Sequence, residues 1–461
     1  MYLSDYLSRI LINFNDNRTV RNIKNLVRKV IEHKSIQIWT ISDDKAEFKR
    51  SRRLIDNSRK TVLDEEKVSE SLRDQGTSAL ADESYVIVIH DPCDIRKEFS
   101  VNLENLGTVR SLDGDLINGY NTFNSVAMNP KGKKIYPIDT STFSNGDPNY
   151  TTEEELDEFS KGTLQESENP EVQERATAIQ AILEDDNDVN LRRIAFGQLR
   201  RVSDHFKSDN PDITLTHVFD RQFDANDYFS FIDGVLDDQF VIRLKISRNS
   251  NETEVAESGK ESSIKLEDVS FANKDVFYLD TLIINKTVYQ QAKCVIEHDT
   301  VTVNGEVYTV VRVTLLDRKG KMIFEHPMLL ITNISVKTSE QAREIYRIYL
   351  KRSKIEAVFK FLKSVLGWEE FQVEDYISIK NIIALCYFIG AYFYEIESEL
   401  TDNRTVAFIC KLGGGKGKVT RHFFLQGLQK LLTYQSVQRF VNDQDITQHL
   451  WEDMIRFVEL N

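Results

Sequence analysis

Hydrophobic positions change their period along the chain, and the changes divide it. Near the N-terminus Ile23, Leu26, Val27 and Val30 recur at i, i+3, i+4 and i+7, the spacing of one helix face. From Ser84 the texture differs. Residues 85–89 (YVIVI) form a continuous apolar run, as expected of a strand buried on both faces, and lead into His90-Asp91-Pro92. Further strands are predicted around 119–128 and 134–139, joined by the turn Asn129-Pro130-Lys131-Gly132. A helix near 191–206, a strand over 213–219 ending at Asp220, a helix over 227–235 and a strand over 239–246 complete the run. Three sequential strands, a helix, a strand, a helix and a strand predict a mixed α/β sheet.

Residues 247–272 are polar and expected to be mobile. Beyond them 276–331 reads as antiparallel strands, with a hairpin at Asn304-Gly305 and another turn over 317–320. One long helix is predicted from Ser339 to about Leu366, and helices dominate after it. The longest apolar run, 382–394, has 13 residues. That is short of the ~20 needed to span a bilayer, so it reads as a buried helix, and no membrane partner is expected. The N-terminal stretch lacks an apolar targeting core, and no internal repeat is visible.

Composition adds scale and charge. The 461 residues, 41% hydrophobic and 29% charged, suit about three globular domains that need neither disulfides nor structural metals. Cys93, Cys294, Cys386 and Cys410 are far apart without a CxxC pair, so neither a zinc site nor a disulfide framework is signalled. A reducing cytoplasm is the expected location. The net charge of −14 argues against non-specific coating of nucleic acid. It is unevenly distributed, however. Residues 1–80 carry 16 Lys/Arg and 12 Asp/Glu, whereas 151–188 carry 13 acidic and two basic residues, so that stretch reads as a solvated, partly flexible excursion. In the N-terminal region Arg21, Lys24 and Arg28 form a stripe on one helix, suited to phosphate contacts or simply to solvent.

Two carboxylates, Asp91 and Asp220, stand at the ends of predicted apolar strands, where sites gather in open α/β sheets. On the predicted long helix Tyr349, Arg352, Glu356 and Lys363 fall within one stripe about 60° wide. Hard divalent ions take oxygen ligands from a few carboxylates plus substrate phosphate, and Arg and Lys bind phosphate. By residue type alone the alternatives stay open. A strand-terminal aspartate also caps turns, and Glu with Arg and Lys on one helix face also makes a salt-bridged surface. His90 reads as structural rather than as a ligand. The glycine-rich LGGGKGKVT (412–420) departs from a phosphate loop, with Val419 where Ser or Thr is required, and reads as a basic turn.

The spacing Y-x2-R-x3-E-x6-K, present as YLKRSKIEAVFKFLK, resembles the signature of the DDE transposases of bacterial insertion sequences, family four. VFDRQFDANDYFSFI is similar to that family's second aspartate block, matching Asp220, Arg221 and Asp224, and QFVIRLK to the strand that follows, with Arg243 as its arginine. VIHDPCDIRK resembles the first block, with Asp91 the better match and Asp94 in reserve. The resemblance spans about residues 85–367.

It implies a ribonuclease-H-like mixed sheet core over 83–366 with a β-rich insertion at about 247–335, flanked by helical regions. Residues 1–82 would recognise DNA ends, and 367–461 would support a homodimer on DNA. It further implies that Asp91, Asp220 and Glu356 hold two Mg²⁺ ions, with Mn²⁺ able to substitute. Tyr349, Arg352, Lys363, Arg243 and Arg221 would contact double-stranded DNA, at both the inverted-repeat ends and the target. Nicking, hairpin formation, reopening and joining would follow. In family members that form hairpins an insertion tryptophan stacks on a flipped base. Trp39, Trp368 and Trp451 all lie outside the insertion here, so an aromatic such as Phe324 or Tyr308 would have to stack instead. The competing expectations are a recruited DNA-binding protein without catalysis, and a metal-dependent nuclease without strand transfer.

Overall fold

The protein is described from a computed structural model, which covers residues 3–11, 16–56, 63–255, 261–284, 287–400 and 402–443. The described chain forms two compact units. One takes Met1–Ser71, Asn102–Glu104 and Lys360–Asn461, and the other Leu72–Val101 and Asn105–Phe359. The elements run α1 (Leu3–Leu11), α2 (Asn17–His33), α3 (Ile38–Ile41), α4 (Lys45–Ile55) and α5 (Glu65–Ala79). Then come β1 (Tyr85–Arg96), β2 (Gly107–Arg110), β3 (Leu116–Met128), β4 (Ile135–Phe143), α6 (Glu153–Ser160), α7 (Pro170–Glu184) and α8 (Leu191–Asp209). β5 (Thr214–Phe219), α9 (Asn226–Ser230) and β6 (Gln239–Arg243) lead into β7 (Asn249–Val255), β8 (Glu261–Lys265), β9 (Asn273–Ile284), β10 (Thr287–Val303), β11 (Glu306–Leu316) and β12 (Met328–Thr332). The chain closes with α10 (Ser339–Leu350), α11 (Ser353–Val365), α12 (Tyr376–Glu399), α13 (Arg404–Leu412) and α14 (Arg421–Asp443).

In the helical unit, the α2 face predicted from its periodicity is buried: Ile23, Leu26, Val27 and Val30 are all closed to solvent. Asp16 caps the helix by accepting the Arg18 and Thr19 N–H groups. α12 is the one described helix long and apolar enough to cross a membrane, and 83% of its apolar window is buried within the protein. Tyr6 donates to the Phe388 carbonyl at 2.7 Å, and Arg9 pairs with Glu395 at 2.8 Å. The glycine-rich turn after α13 serves close packing. A Cβ on Gly413 would meet the Phe423 carbonyl oxygen at 2.0 Å, and one on Gly427 the Ile409 carbonyl oxygen at 1.8 Å.

The other unit is mixed α/β, built on a sheet of ten strands. Its order is β2-β3-β1-β5-β6-β12-β11-β10-β9, with β4 also on β3. β3 runs antiparallel to both β1 and β4, whereas β1–β5 and β5–β6 are parallel. The parallel pairs require crossovers, which α8 and α9 supply. Antiparallel β12 to β9 then extend the sheet from β6, joined to it through β12. Asn304 and Gly305 both take positive φ, 52° and 89°, at the predicted β10–β11 hairpin.

Several expectations need correction. The 151–188 excursion, read as partly flexible, folds into two helices. Thr152 and Glu155 make a capping box, and Leu164, Ala176 and Ile179 form a small core with Leu156, Phe159 and Val172. Within 247–272, expected to be mobile, β7 and β8 pair as an antiparallel two-stranded sheet; residues 256–260 lie outside the described residues. The single long helix from Ser339 is two helices, parted at Lys351-Arg352.

One buried polar chain runs under the parallel strands. Asp238 accepts from Ser203 Oγ at 2.6 Å, lies 3.1 Å from His217 Nε2 and pairs with Lys207 Nζ at 2.8 Å. His217 Nδ1 is 2.8 Å from His90 Nε2, whose ring bonds Ser125 through Nδ1 at 2.7 Å. His90 is therefore structural. Burial alone would raise the Asp238 pKa, but hydrogen bonds and charge from His217, Lys207 and Ser203 outweigh it and lower it. A carboxyl lowered in the folded state adds stability above its unfolded pKa and loses it as pH falls through the folded value. Asp238→Asn is expected to cost about 2 kcal/mol near neutral pH and progressively less as pH falls below the ordinary carboxylate range, checked by thermal unfolding across an acid pH series.

Candidate active site

The parallel register places the first two carboxylates. Ile89 of β1 lies opposite Val218 of β5 in the last pair of that ladder. Two residues further on each strand stand Asp91 and Asp220, so the register sets them at equivalent positions. Asp220 is the first residue beyond β5, as predicted. Asp91 is not at a strand end: β1 continues to Arg96, paired antiparallel with β3, where Asn124 faces Asp91. Successive residues alternate across a strand, so His90 enters the buried polar chain while Asp91 turns to the opposite face.

The third carboxylate arrives through the helix break. Arg352 lies in the two-residue turn between α10 and α11. Its Nη2 is 3.2 and 3.1 Å from the two Asp91 carboxylate oxygens and 3.5 Å from Asp220 Oδ2. Its Nη1 donates to Glu356 Oε1 at 2.5 Å. One guanidinium is thus shared by Asp91, Asp220 and Glu356. Tyr349 donates its hydroxyl to Asp220 Oδ1 at 3.2 Å, and Arg243 stands 3.9 Å from the same oxygen. The Arg221 backbone N–H donates to that oxygen at 2.8 Å.

Burial governs the electrostatics. Asp91 is 8% exposed, and desolvation pushes its carboxyl up to about 7. Arg352 opposes that rise, while the nearby charges of Asp220 and Glu356 add to it. Desolvation works against the Arg352 charge, yet Asp91, Asp220, Tyr349 and Glu356 together raise its pKa. The Tyr349 hydroxyl is raised, by burial first and by Asp220 second.

Asp91, Asp220 and Arg352 open onto a cleft of about 550 Å³ whose walls include Asp94, Arg110, Asn121, Asn145 and Gln222. Apart from Asp94 these were not anticipated: they are brought in by β2, β3, the chain after β4 and the turn after β5, and carry no local signal. A second hollow of about 290 Å³ is lined by Arg221, Arg243, Phe324, Met328 and Tyr346. Phe324 is 46% exposed there. Tyr308, the other stacking candidate, is 2% exposed and packs edge-on against Phe229 and Phe240, so it is a core ring.

Lys363, Arg21, Lys24 and Arg28 lie in the helical unit. Lys363 is on the part of α11 assigned to it and pairs with Glu369 at 2.9 Å. On α2, Arg21 and Lys24 are exposed. Arg28 is half-buried, bonded to Ser436 and 3.9 Å from Glu32, so it serves packing between α2 and α14. Asp224, matched in the second aspartate block, accepts the Lys245 N–H at 2.7 Å and pairs with Arg248, fixing the chain after β6.

Among the described residues, no group of three or more His, Cys, Asp or Glu is placed to hold a metal ion as it stands. The donor chemistry nevertheless fits a hard divalent cation, because three carboxylates converge on one positive charge and one of them is buried. No family model matches the chain, and no curated protein matches it.

A carboxyl raised on folding costs stability while it is ionised, and the cost fades as pH falls below its folded pKa. Asp91→Asn, with divalent ions chelated, is expected to stabilise the protein by about 1–3 kcal/mol near pH ~8 and by much less near pH ~5. Denaturant titrations at the two pH values check the difference.

Proposed function

We propose that this chain is a DDE-type DNA transposase with a ribonuclease-H-like core, carrying out cut-and-paste transposition on double-stranded DNA. The observation that supports it most is the meeting of Asp91, Asp220 and Glu356 around Arg352. These residues come from two register-matched strand positions and from the Tyr-Arg-Glu spacing. A sheet of three antiparallel strands continued by two parallel ones, with a β-rich insertion between Asp220 and Glu356, agrees with that reading.

In this reading Asp91, Asp220 and Glu356 hold Mg²⁺. Bound there, the ions would activate a water or a 3′-hydroxyl and stabilise the leaving oxygen. The chain's own residues do the rest. Tyr349 and the Arg221 amide orient Asp220 by hydrogen bonds. Arg243, Arg221 and Arg352 bind phosphates along the cut strand, and Lys363, Arg21 and Lys24 bind DNA further off. Phe324 offers its exposed face to an unpaired base while a hairpin forms. Joining requires two ends held together, so a homodimer on DNA is the expected assembly. α14 leaves Leu431, Tyr434, Val437 and Phe440 exposed, consistent with a role in it. The alternative of a recruited DNA-binding protein draws on one observation, the guanidinium standing where the metal would bind.

The test is an excision and joining assay with Mg²⁺ or Mn²⁺ on a plasmid carrying the gene's own flanking DNA. Wild type is expected to give excised and joined products, and Glu356→Gln to lose both by about 10³-fold or more. Cuts without joining would identify a nuclease. DNA bound but never cut would overturn catalysis. In the same assay Phe324→Ala is expected to keep nicking while hairpin product falls about tenfold, the worth of one base–aromatic stack.

A further inference from the structure

A guanidinium and a divalent ion cannot use the same oxygens at once. Arg352 Nη2 lies 3.1–3.2 Å from both Asp91 oxygens and 3.5 Å from Asp220, while Nη1 holds Glu356. A magnesium ion would bind those oxygens at about 2.0–2.1 Å, within the space the guanidinium fills. We propose that Arg352 is the resident counter-ion of this site. It keeps metal out until a DNA phosphate draws the guanidinium away, so that metal loads after DNA. The proposal rests on reading the three carboxylates as metal ligands and adds the order in which the site is assembled.

Three features of the chain support the exchange. Arg352 stands in the turn between α10 and α11 rather than within a helix, with its backbone N–H bonded to the Tyr349 carbonyl at 2.9 Å. Its side chain lines the open cleft of about 550 Å³. Its Nε is buried without a hydrogen-bond partner, so the carboxylates do not satisfy all of the guanidinium's donors. A phosphate accepts from the planar fork as well as a carboxylate does. Neither half of the exchange is favourable alone. Withdrawing Arg352 without metal leaves three adjacent carboxylates without their cation, and inserting metal beside Arg352 crowds like charges. DNA and metal must therefore strengthen each other's binding by the same factor.

The experiment is a Mn²⁺ titration of the purified full chain followed by electron paramagnetic resonance, for wild type, Arg352→Ala, Arg352→Lys and Glu356→Gln. It is run with and without a DNA duplex from the gene's flank, and the ions taken up by that duplex alone are subtracted. Without DNA, Arg352→Ala is expected to bind Mn²⁺ at least about tenfold more tightly than wild type, because the competent site is no longer blocked. Arg352→Lys, which keeps the charge but cannot span three carboxylates, should fall between them and serves if the alanine variant does not fold. Adding duplex should tighten Mn²⁺ binding to wild type and leave Arg352→Ala almost unchanged. Equal or weaker Mn²⁺ binding by both arginine variants, with binding still lost in Glu356→Gln, would overturn the proposal and leave the metal site standing. No Mn²⁺ bound by any form, with or without duplex, would overturn both.

Discussion

β1 and β5 run parallel with Ile89 opposite Val218, and that register decides where two carboxylates come to rest. A one-residue slip would exchange the faces of β1, sending His90 towards the cleft and Asp91 into the core. The alternation therefore separates two polar systems on one strand. On one side His90, His217 and Asp238 bond among stacked rings such as Phe123 and Phe219. On the other, Asp91 meets a guanidinium. Each polar group on the strand finds partners on its own side, which lets a strand with only apolar residues from Val86 to Ile89 carry both.

Charge is handled in the same local way elsewhere in this unit. Arg192 pairs with Glu153 and Asp227, and Arg193 with Asp186 and Asp188, so the acidic α6–α7 excursion is fastened at its root by the first turn of α8. Arg175 bonds Glu155 and the Tyr150 carbonyl. The excess of acid in 151–188 is thus partly consumed in holding two helices in place, which net charge alone conceals.

Much of the sheet was legible because apolar runs and turn residues are local signals. YVIVI, the strand ending at Asp220, and Asn304-Gly305 each carry their structure within a few residues. The failures share a cause. β1 was expected to stop at Asp91-Pro92, but pairing with β3, a long-range partner, carries it on to Arg96. The break at Lys351-Arg352 contains no Gly or Pro, so nothing in the sequence announces it. The meeting of Arg352 with Asp91, 261 positions away, is equally invisible to any window. The α6 helix could have been found, since Thr152-x-x-Glu155 is a capping box and was outweighed by composition. The polar β7–β8 pair offers no such cue.

The three carboxylates differ in how firmly the backbone holds them. Asp91 sits inside a continuing antiparallel ladder, its carbonyl accepting from the Asn124 side chain at 3.3 Å. Asp220 is the first residue after β5, braced by a single 3-10 turn. Glu356 is exposed in the first turn of a helix that begins just after a break. The aspartates thus take their places from strand pairing, whereas the place of Glu356 is set by the direction in which α11 leaves the turn at Lys351-Arg352.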